Sequence, residues 1–224
     1  MQNITLNNGV EIPILGFGVY QIAPKDTKSA VLNAIKAGYR NFDTAQAYAN
    51  EKEVGEAIRE SRIDRKEFFI TSKVWLSNYG YDKAYASVLE SLDRMELDYL
   101  DLMLLHQPFS DYYGAYHALE KLYKEGKLRA IGVSNFYPDR LSDIVAFNEI
   151  TPQVNQVETH PLNQQIFAQE NMIKKRCKLN LGLLLQKVVV TFSTIQFSKI
   201  LLINMVNPLH KSWFAGKFNG ELFA

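Results

Sequence analysis

Four ionisable side chains in the first half of the chain could together reduce a carbonyl group: Asp43, Tyr48, Lys73 and His106. A tyrosine hydroxyl loses its proton near pH 10, so it needs a nearby positive charge to act as a general acid at neutral pH. Lys73 can supply that charge, and a carboxylate at Asp43 would keep the lysine protonated. His106 could donate a hydrogen bond to the carbonyl oxygen and orient it towards Tyr48. The set predicts carbonyl reduction, with the hydride supplied from elsewhere.

Each of these side chains falls at or just after the end of a predicted strand. After a short hairpin with an Asn-Gly turn at residues 8–9, apolar strands and amphipathic helices alternate through six strands up to about residue 157. Strands this apolar need both faces covered, which favours an α/β fold with parallel strands and right-handed crossovers. Residues 16–18 lack the third glycine of a dinucleotide-binding turn. Because polar residues collect at the carboxyl ends of the strands, we expect a (β/α)8 TIM barrel.

The composition predicts one globular domain that binds a small molecule. Of the 224 residues, 47% are hydrophobic, and the formal charge is +1. Acids and bases are nearly balanced and form no long single-sign runs, which argues against nucleic acid or a membrane as partner. The single cysteine, Cys177, excludes an internal disulfide, and the first residues do not read as a leader peptide. We expect a cytoplasmic protein with no metal and no obligate protein partner.

Seven runs of the sequence together resemble the aldo/keto reductase superfamily, in particular its small bacterial members of the diketogluconate-reductase type. They occur in the family's order between about residues 3 and 175: GFGVYQ at 16–21, GYRNFDTA at 38–45, YANE at 48–51, SKVW at 72–75, LLHQP at 104–108, GVSNF at 132–136 and QVNQVETHP at 153–161. The resemblance implies a barrel enzyme that uses NADPH to reduce aldehydes or ketones to alcohols.

The resemblance also implies a role for each site residue. The family's catalytic tetrad falls on Asp43, Tyr48, Lys73 and His106, with Tyr48 as the general acid. Cofactor-binding positions fall on Gly18, Val19, Asp43, Ser134, Asn135 and Gln156, of which the last three hold the nicotinamide carboxamide. Substrate-binding positions fall on Tyr20, Trp75 and His106.

Each of these residues also has an ordinary structural explanation when it is taken alone. Lys73 could be a solvated strand end, His106 a capping or core histidine, and Trp75 rim packing. We expect structural roles for His117 and His160. The functional interpretation of the tetrad rests on all four members falling at strand ends within the matching runs.

The family pattern stops after about residue 175. A member would continue with a seventh strand ending in a Trp-Gly-Pro-like turn and an eighth ending in Lys-Ser, followed by residues that bind the adenosine 2′-phosphate. Residues 176–224 show none of these features. We therefore expect a partial barrel at 1–175 and a non-family tail at 176–224. A single-nucleotide frameshift near Arg176 would explain the tail, since its codons permit family-like strings when they are read one base out of frame.

The altered tail has a predicted structural cost. Six parallel strands without a seventh and an eighth leave two open edges and an incomplete barrel, which would be marginally stable or aggregation-prone. The apolar runs at 187–192 and 200–203 could serve as makeshift strands.

Three functional hypotheses follow. The first is an NADPH-dependent aldehyde or ketone reductase. The second is the inactive product of a disrupted reductase gene. The third is a non-catalytic barrel that binds nucleotide and a protein partner, against which the intact tetrad argues.

Overall fold

The computed structural model describes residues 2–160, 163–182 and 222–223. The strands are β1 (Asn3–Thr5), β2 (Glu11–Pro13), β3 (Gly16–Gly18), β4 (Asn41–Asp43), β5 (Phe69–Val74), β6 (Leu102–Leu105), β7 (Ile131–Ser134), β8 (Val154–Glu158), β9 (Lys178–Gly182) and β10 (Leu222–Phe223). The helices are α1 (Pro24–Lys36), α2 (Glu51–Glu60), α3 (Tyr81–Met95), α4 (Tyr112–Lys124), α5 (Pro138–Phe147) and α6 (Ile166–Lys174). Strands and helices alternate regularly from β3 to β9.

The strands of the parallel sheet follow the order expected of a barrel in which each new strand is added beside the previous one. Strands β3 to β10 follow one another in the sheet in the order of the chain, and every adjacent pair is parallel. Apolar side chains of the helices pack against the sheet in one large core cluster. The predicted α/β partial barrel is therefore confirmed. Among the described residues, no helix has the length and apolar composition needed to cross a bilayer.

The sheet extends two strands, β9 and the two-residue β10, beyond the sequence-based prediction. Strand β9 pairs in parallel with β8 from Val154 opposite Lys178 to Glu158 opposite Gly182, so the expectation that the parallel strands stop at six is wrong. The sequence of β9 alternates polar and apolar residues, as a strand does, and the exposed edge of β8 offers it unpaired backbone groups. The proposed makeshift strands at 187–192 and 200–203 lie outside the described residues.

The N-terminal hairpin closes one end of the barrel interior. Ile4 and Leu6 from the β1 segment and Ile12 from β2 are buried in a second, smaller apolar cluster with side chains of β5, β6 and β8. Asn41 at the start of β4 adds a polar contact, since its Nδ2 donates to the carbonyl oxygen of Pro13 at 3.0 Å. The amino ends of the strands are thus filled with apolar side chains.

The same alternation that fills this end with apolar groups directs the polar groups to the other end. Side chains two residues apart in a strand lie on the same face of a sheet. Phe69 belongs to the inner cluster, so Lys73, four residues later, shares its inward face. Leu104 in the inner cluster likewise places His106 inward, just beyond the end of β6. The polar site is thereby fixed at the carboxyl ends of the strands.

Helices α2 and α3 approach each other closely at Gly55. A Cβ atom added at Gly55 would lie 2.2 Å from the carbonyl oxygen of Met95, the last residue of α3. The same carbonyl accepts a hydrogen bond of 2.5 Å from Arg59. Because the obstructing atom belongs to the backbone, the two helices would have to separate to accommodate any side chain at position 55.

We therefore expect Gly55→Ala to lower the free energy of unfolding by about 1–3 kcal/mol, the usual cost of overpacking. Urea unfolding followed by circular dichroism measures the effect. Gly18→Ala is the matched control, since a Cβ there meets nothing within 4 Å. Equal unfolding midpoints for Gly55→Ala and the wild type would contradict this account of the helix contact.

Candidate functional site

A buried lysine forms the base of the site. Lys73 is 1% exposed near the end of β5, and its ammonium forms an ion pair with Asp43. The Nζ atom also donates to the carbonyl oxygen of Thr44 at 3.0 Å and to the hydroxyl of Tyr48 at 3.5 Å. A buried charge is tolerated only when it is paired and hydrogen-bonded. Three oxygen partners, one at the end of β4 and two in the segment that follows it, supply that compensation. The lysine therefore fixes this segment in place.

Charge interactions keep Lys73 protonated. Burial acts to lower its pKa, but the Asp43 carboxylate and the Tyr48 oxygen outweigh burial, and the pKa lies above its ordinary value. Gln156 orients the carboxylate from the opposite side, since its Nε2 donates to Asp43 Oδ2 at 2.9 Å. The site therefore carries a fixed positive charge beside the Tyr48 hydroxyl, as the sequence predicted.

The structure corrects one part of the sequence argument, which expected the Lys73 charge to bring the net pKa of Tyr48 below its ordinary value. The net direction is upward, because burial of the phenol raises the pKa more than the Lys73 charge lowers it. The hydroxyl is therefore fully protonated at neutral pH in the free protein. The Lys73 charge offsets only part of the effect of burial on the pKa of Tyr48. The charge stabilises the phenol most strongly when the phenol has lost its proton and is negatively charged.

His106 is a neutral side chain in this site. Burial and the nearby Lys73 charge lower its pKa to about 4. Its Nδ1 atom is buried and has no hydrogen-bond partner among the described residues. The ring makes edge contacts with the rings of Tyr48 and Trp75, whose centroids lie 5.8 Å and 5.0 Å away. The ring edge that carries Nε2 remains for a hydrogen bond within the site.

A cavity of about 310 Å³ opens above these groups. Its lining is Tyr20, Ala47, Tyr48, Trp75, His106, Gln107, Ser134, Asn135, Gln156, Val157 and Glu158. One side of the lining is aromatic: the Tyr20 and Tyr48 rings lie 5.0 Å apart, and the Tyr20 and Trp75 side chains are 43% and 36% exposed. The other side is formed by hydroxyl, amide and carboxyl groups at the ends of β7 and β8.

The polar side of the cavity contains Ser134, Asn135 and Gln156, the three residues for which the family resemblance predicted contacts with the nicotinamide carboxamide. Asn135 has a left-handed backbone conformation with φ of 63°, and its N–H donates to the carbonyl oxygen of Gln156 at 2.8 Å. Its Nδ2 donates to the carbonyl oxygen of His106 and to Ser134 Oγ, both at 3.2 Å. Three fixed polar side chains beside an aromatic surface fit a flat ring that bears an amide, such as nicotinamide.

The other sequence-predicted residues lie around the edge of this site. Gly18 and Val19 adjoin Asp43, whose carbonyl oxygen accepts the Val19 N–H at 3.0 Å, but neither is part of the cavity lining. Their assignment to cofactor binding stays a prediction. His117 is exposed on α4, and His160 Nε2 lies 3.4 Å from the Glu158 carboxylate.

Sequence reasoning did not identify several residues that the structure brings to the site. Ala47, Gln107, Val157 and Glu158 all line the cavity. Ala47, Gln107 and Val157 each adjoin a residue that was identified, and Glu158 lies two residues after Gln156, so a search of the neighbouring positions would have found them. Gln46, which hydrogen-bonds the backbone of Trp75 at 2.9 Å, gave no signal of its own in the sequence.

Comparison with known proteins agrees with this geometry. A model described as the aldo/keto reductase family matches residues 15–195, and the chain belongs to this family. It is 45% identical over 181 residues to a morphine 6-dehydrogenase of Pseudomonas putida, covering 80% of this chain and 60% of the relative. It is 51% identical over 160 residues to a glyoxal reductase of Bacillus subtilis, covering 70% and 58%. The chain thus spans about three fifths of the length of these curated relatives.

Solved structures show the same relationship. An aldo/keto reductase from Brucella melitensis superposes with a TM-score of 0.86 at 34% identity, covering 99% of this chain and 86% of that chain. A Bombyx mori aldo-keto reductase in complex with NADP superposes with a TM-score of 0.78 at 31% identity, covering 81% and 66%. The family match extends 20 residues past the predicted boundary at residue 175. That boundary stays a prediction.

The lowered pKa of His106 has a consequence for stability. Between about pH 6.5, the ordinary histidine value, and about pH 4, the unfolded chain binds a proton at His106 that the folded chain does not. We therefore expect the contribution of His106 to the free energy of unfolding to be complete above pH 6.5 and lost as the pH falls towards 4.

Urea unfolding of the wild type and of His106→Gln at intervals between pH 4 and 7 measures this contribution. The difference between the two proteins isolates the histidine from the carboxyl groups that titrate in the same range. We expect the wild type to lose more stability than His106→Gln on acidification. Parallel stability profiles would contradict the lowered pKa.

Proposed function

We propose that this chain reduces aldehydes or ketones to alcohols with NADPH, and that Tyr48 is the proton donor. The observation that carries the proposal is the buried, ion-paired Lys73, whose ammonium lies 3.5 Å from the Tyr48 hydroxyl. A neutral His106 faces the same cavity. Together these groups supply a proton, a fixed positive charge and a hydrogen-bond donor at one place.

Ser134, Asn135 and Gln156 would hold the nicotinamide end of the cofactor, which supplies the hydride. Their amide and hydroxyl groups can pair with both the oxygen and the NH2 group of a carboxamide. The bonds that already link these residues to His106 and Asp43 fix their positions relative to the proton donor. The positions at which the family binds the adenosine 2′-phosphate lie after residue 175, where this sequence departs from the family pattern.

His106 orients the substrate. In its neutral form with Nδ1 unpaired, the histidine can donate a hydrogen bond from Nε2 to the carbonyl oxygen. That bond would place the oxygen within reach of the Tyr48 hydroxyl, since the two rings are in edge contact at 5.8 Å. A histidine that stays uncharged near neutral pH donates without adding a second positive charge beside Lys73.

Tyr48 completes the reaction by giving its proton to the carbonyl oxygen as negative charge develops there. The raised pKa keeps the phenol protonated until that moment. The Lys73 ammonium then stabilises the phenolate that remains, and Asp43 holds the lysine in position. This is general acid catalysis with electrostatic stabilisation of the conjugate base.

Tyr48→Phe removes the proton donor and leaves the ring. We expect kcat for aldehyde-dependent NADPH oxidation to fall by about 10²–10⁴-fold, the usual contribution of a general acid. The dissociation constant of NADPH, measured by fluorescence titration, should change little. Unchanged turnover in Tyr48→Phe would remove Tyr48 from this role, whereas the absence of turnover in the wild type would favour the alternative of a non-catalytic binding barrel.

The substrate and setting are proposed only by class. The relatives named for morphine and glyoxal differ widely in their ligands, so we propose a small carbonyl compound without naming one. The single cysteine, which excludes an internal disulfide, supports a cytoplasmic setting, and we propose a reaction there without an obligate protein partner. Fractionation of the source cells, followed by size-exclusion chromatography of the native protein, tests both points.

The second candidate function, the inactive product of a disrupted reductase gene, has its own supporting observation. Residues 176–224 contain no Trp-Gly-Pro-like strand end of the kind that the family pattern requires. We propose a partial barrel at 1–175 followed by a frameshifted tail. Independent sequencing of the codons for residues 171–177 at the source tests this: an unchanged sequence supports a disrupted gene, whereas an extra or missing base restores the family's reading frame and favours the active reductase.

A further inference from the structure

The side chain of Gln46 is bonded at both ends. Its Oε1 accepts from the backbone N–H of Trp75 and from Asn78 Nδ2, both at 2.9 Å. Its Nε2 donates to the carbonyl oxygen of Ser87 and to Ser91 Oγ, both at 3.1 Å. The backbone partners settle which end is oxygen, since an N–H can only donate and a carbonyl can only accept.

These four bonds connect three elements of the site. Gln46 begins the short 3-10 turn Gln46–Tyr48 that carries the proton donor. Trp75 directly follows β5, and Asn78 ends the next 3-10 turn, Leu76–Asn78. Ser87 and Ser91 lie one turn apart on α3 and are buried. One side chain thus ties the proton-donor turn and the aromatic wall of the cavity to a helix of the barrel.

A buried hydrogen-bond network continues from Gln46 towards the lysine. Ser91 Oγ donates to Glu51 Oε2 at 3.3 Å, and Glu51 Oε1 accepts from Ser72 Oγ at 2.5 Å. Ser72 precedes Lys73 in β5. Movement of Gln46 would therefore disturb the setting of Trp75 directly, whereas Lys73 retains its own bonds to the Asp43 loop.

We propose that Gln46 is a positioning residue that sets substrate affinity by holding Trp75 against the His106 ring. This inference rests on the proposed function. Trp75 is held at its backbone by Gln46, and its ring meets His106 at 5.0 Å. Tyr48 keeps independent support from Lys73 and from its own backbone bond to Ala45 at 3.0 Å. Loss of Gln46 should therefore affect KM more than kcat.

The test compares Gln46→Ala with the wild type for a small aldehyde, methylglyoxal, and a larger one, benzaldehyde. We expect KM for benzaldehyde to rise about tenfold, because both bonds that hold the Trp75 turn are lost, and kcat to stay within about threefold. KM for methylglyoxal should change less, since a smaller molecule contacts less of the Trp75 ring. Asn78→Ala, which removes one of the two bonds, should shift KM in the same direction by a smaller factor.

A second readout does not depend on turnover. The chain has two tryptophans, so Trp213→Phe leaves Trp75 as the single tryptophan, whose fluorescence can be excited selectively over that of the tyrosines. In that background we expect Gln46→Ala to increase acrylamide quenching of Trp75 by about twofold, as a released ring becomes more accessible. Gln169→Ala is the matched control: Gln169 is a half-buried glutamine on α6 beside a separate cavity at the hairpin, and its loss should change neither KM nor quenching.

The outcomes separate the two proposals. Unchanged KM and unchanged quenching in Gln46→Ala overturn the inference, as does a fall in kcat alone. If the wild type itself shows no turnover, the proposed function fails, and the quenching of Trp75 still decides whether Gln46 positions this residue. If Gln46→Ala does not fold, Asn78→Ala gives the same decision from the same two measurements.

Discussion

The ion pair between Lys73 and Asp43 is the interaction on which the rest of the site depends. A lysine with 1% of its surface exposed requires fixed oxygen partners, and here they are Asp43 at the end of β4 and Thr44 and Tyr48 in the segment that follows it. That requirement gives the segment one conformation and holds a phenol beside a positive charge. The same burial keeps His106 neutral, because two positive charges are unfavourable in one poorly solvated site.

The barrel makes this arrangement possible by separating apolar and polar ends of one interior. The hairpin side chains Leu6 and Ile12 pack with inward-facing residues near the starts of the strands. Further along the same inward faces, near the carboxyl ends of the strands, lie Lys73, Ser134 and Gln156. A strand period of two thus places the apolar core and the chemistry on the same strands at opposite ends.

Much of this organisation could be predicted from the sequence, because it depends on local patterns. The alternation of apolar strands with amphipathic helices predicted the barrel. The polar residues at the strand ends predicted that the four ionisable groups lie at one end of it. Strand β9, which begins at Lys178, escaped prediction because it lies after residue 175, where the recognised sequence pattern stops, and its pairing with β8 becomes visible only in the folded chain. The direction of the Tyr48 pKa escaped it too, since the extent of burial depends on packing from several elements.

Gln46 shows the same limit at the level of a single side chain. Its four partners belong to residues 29 to 45 positions away in the chain, and no spacing rule connects them. In the sequence, Gln46 is a glutamine between two alanines. In the folded chain, its side chain joins the turn that carries Tyr48, the segment that carries Trp75, and α3 by hydrogen bonds. Positioning residues of this kind become visible only when the backbone of the site is known.

The most direct test of the central claim is to incubate the purified full chain with benzaldehyde and NADPH and to quantify both NADPH consumed and benzyl alcohol formed. The account predicts that the two amounts are equal and that both require the enzyme. NADPH consumption without alcohol, or the absence of both, would contradict the proposal that this site reduces carbonyl groups.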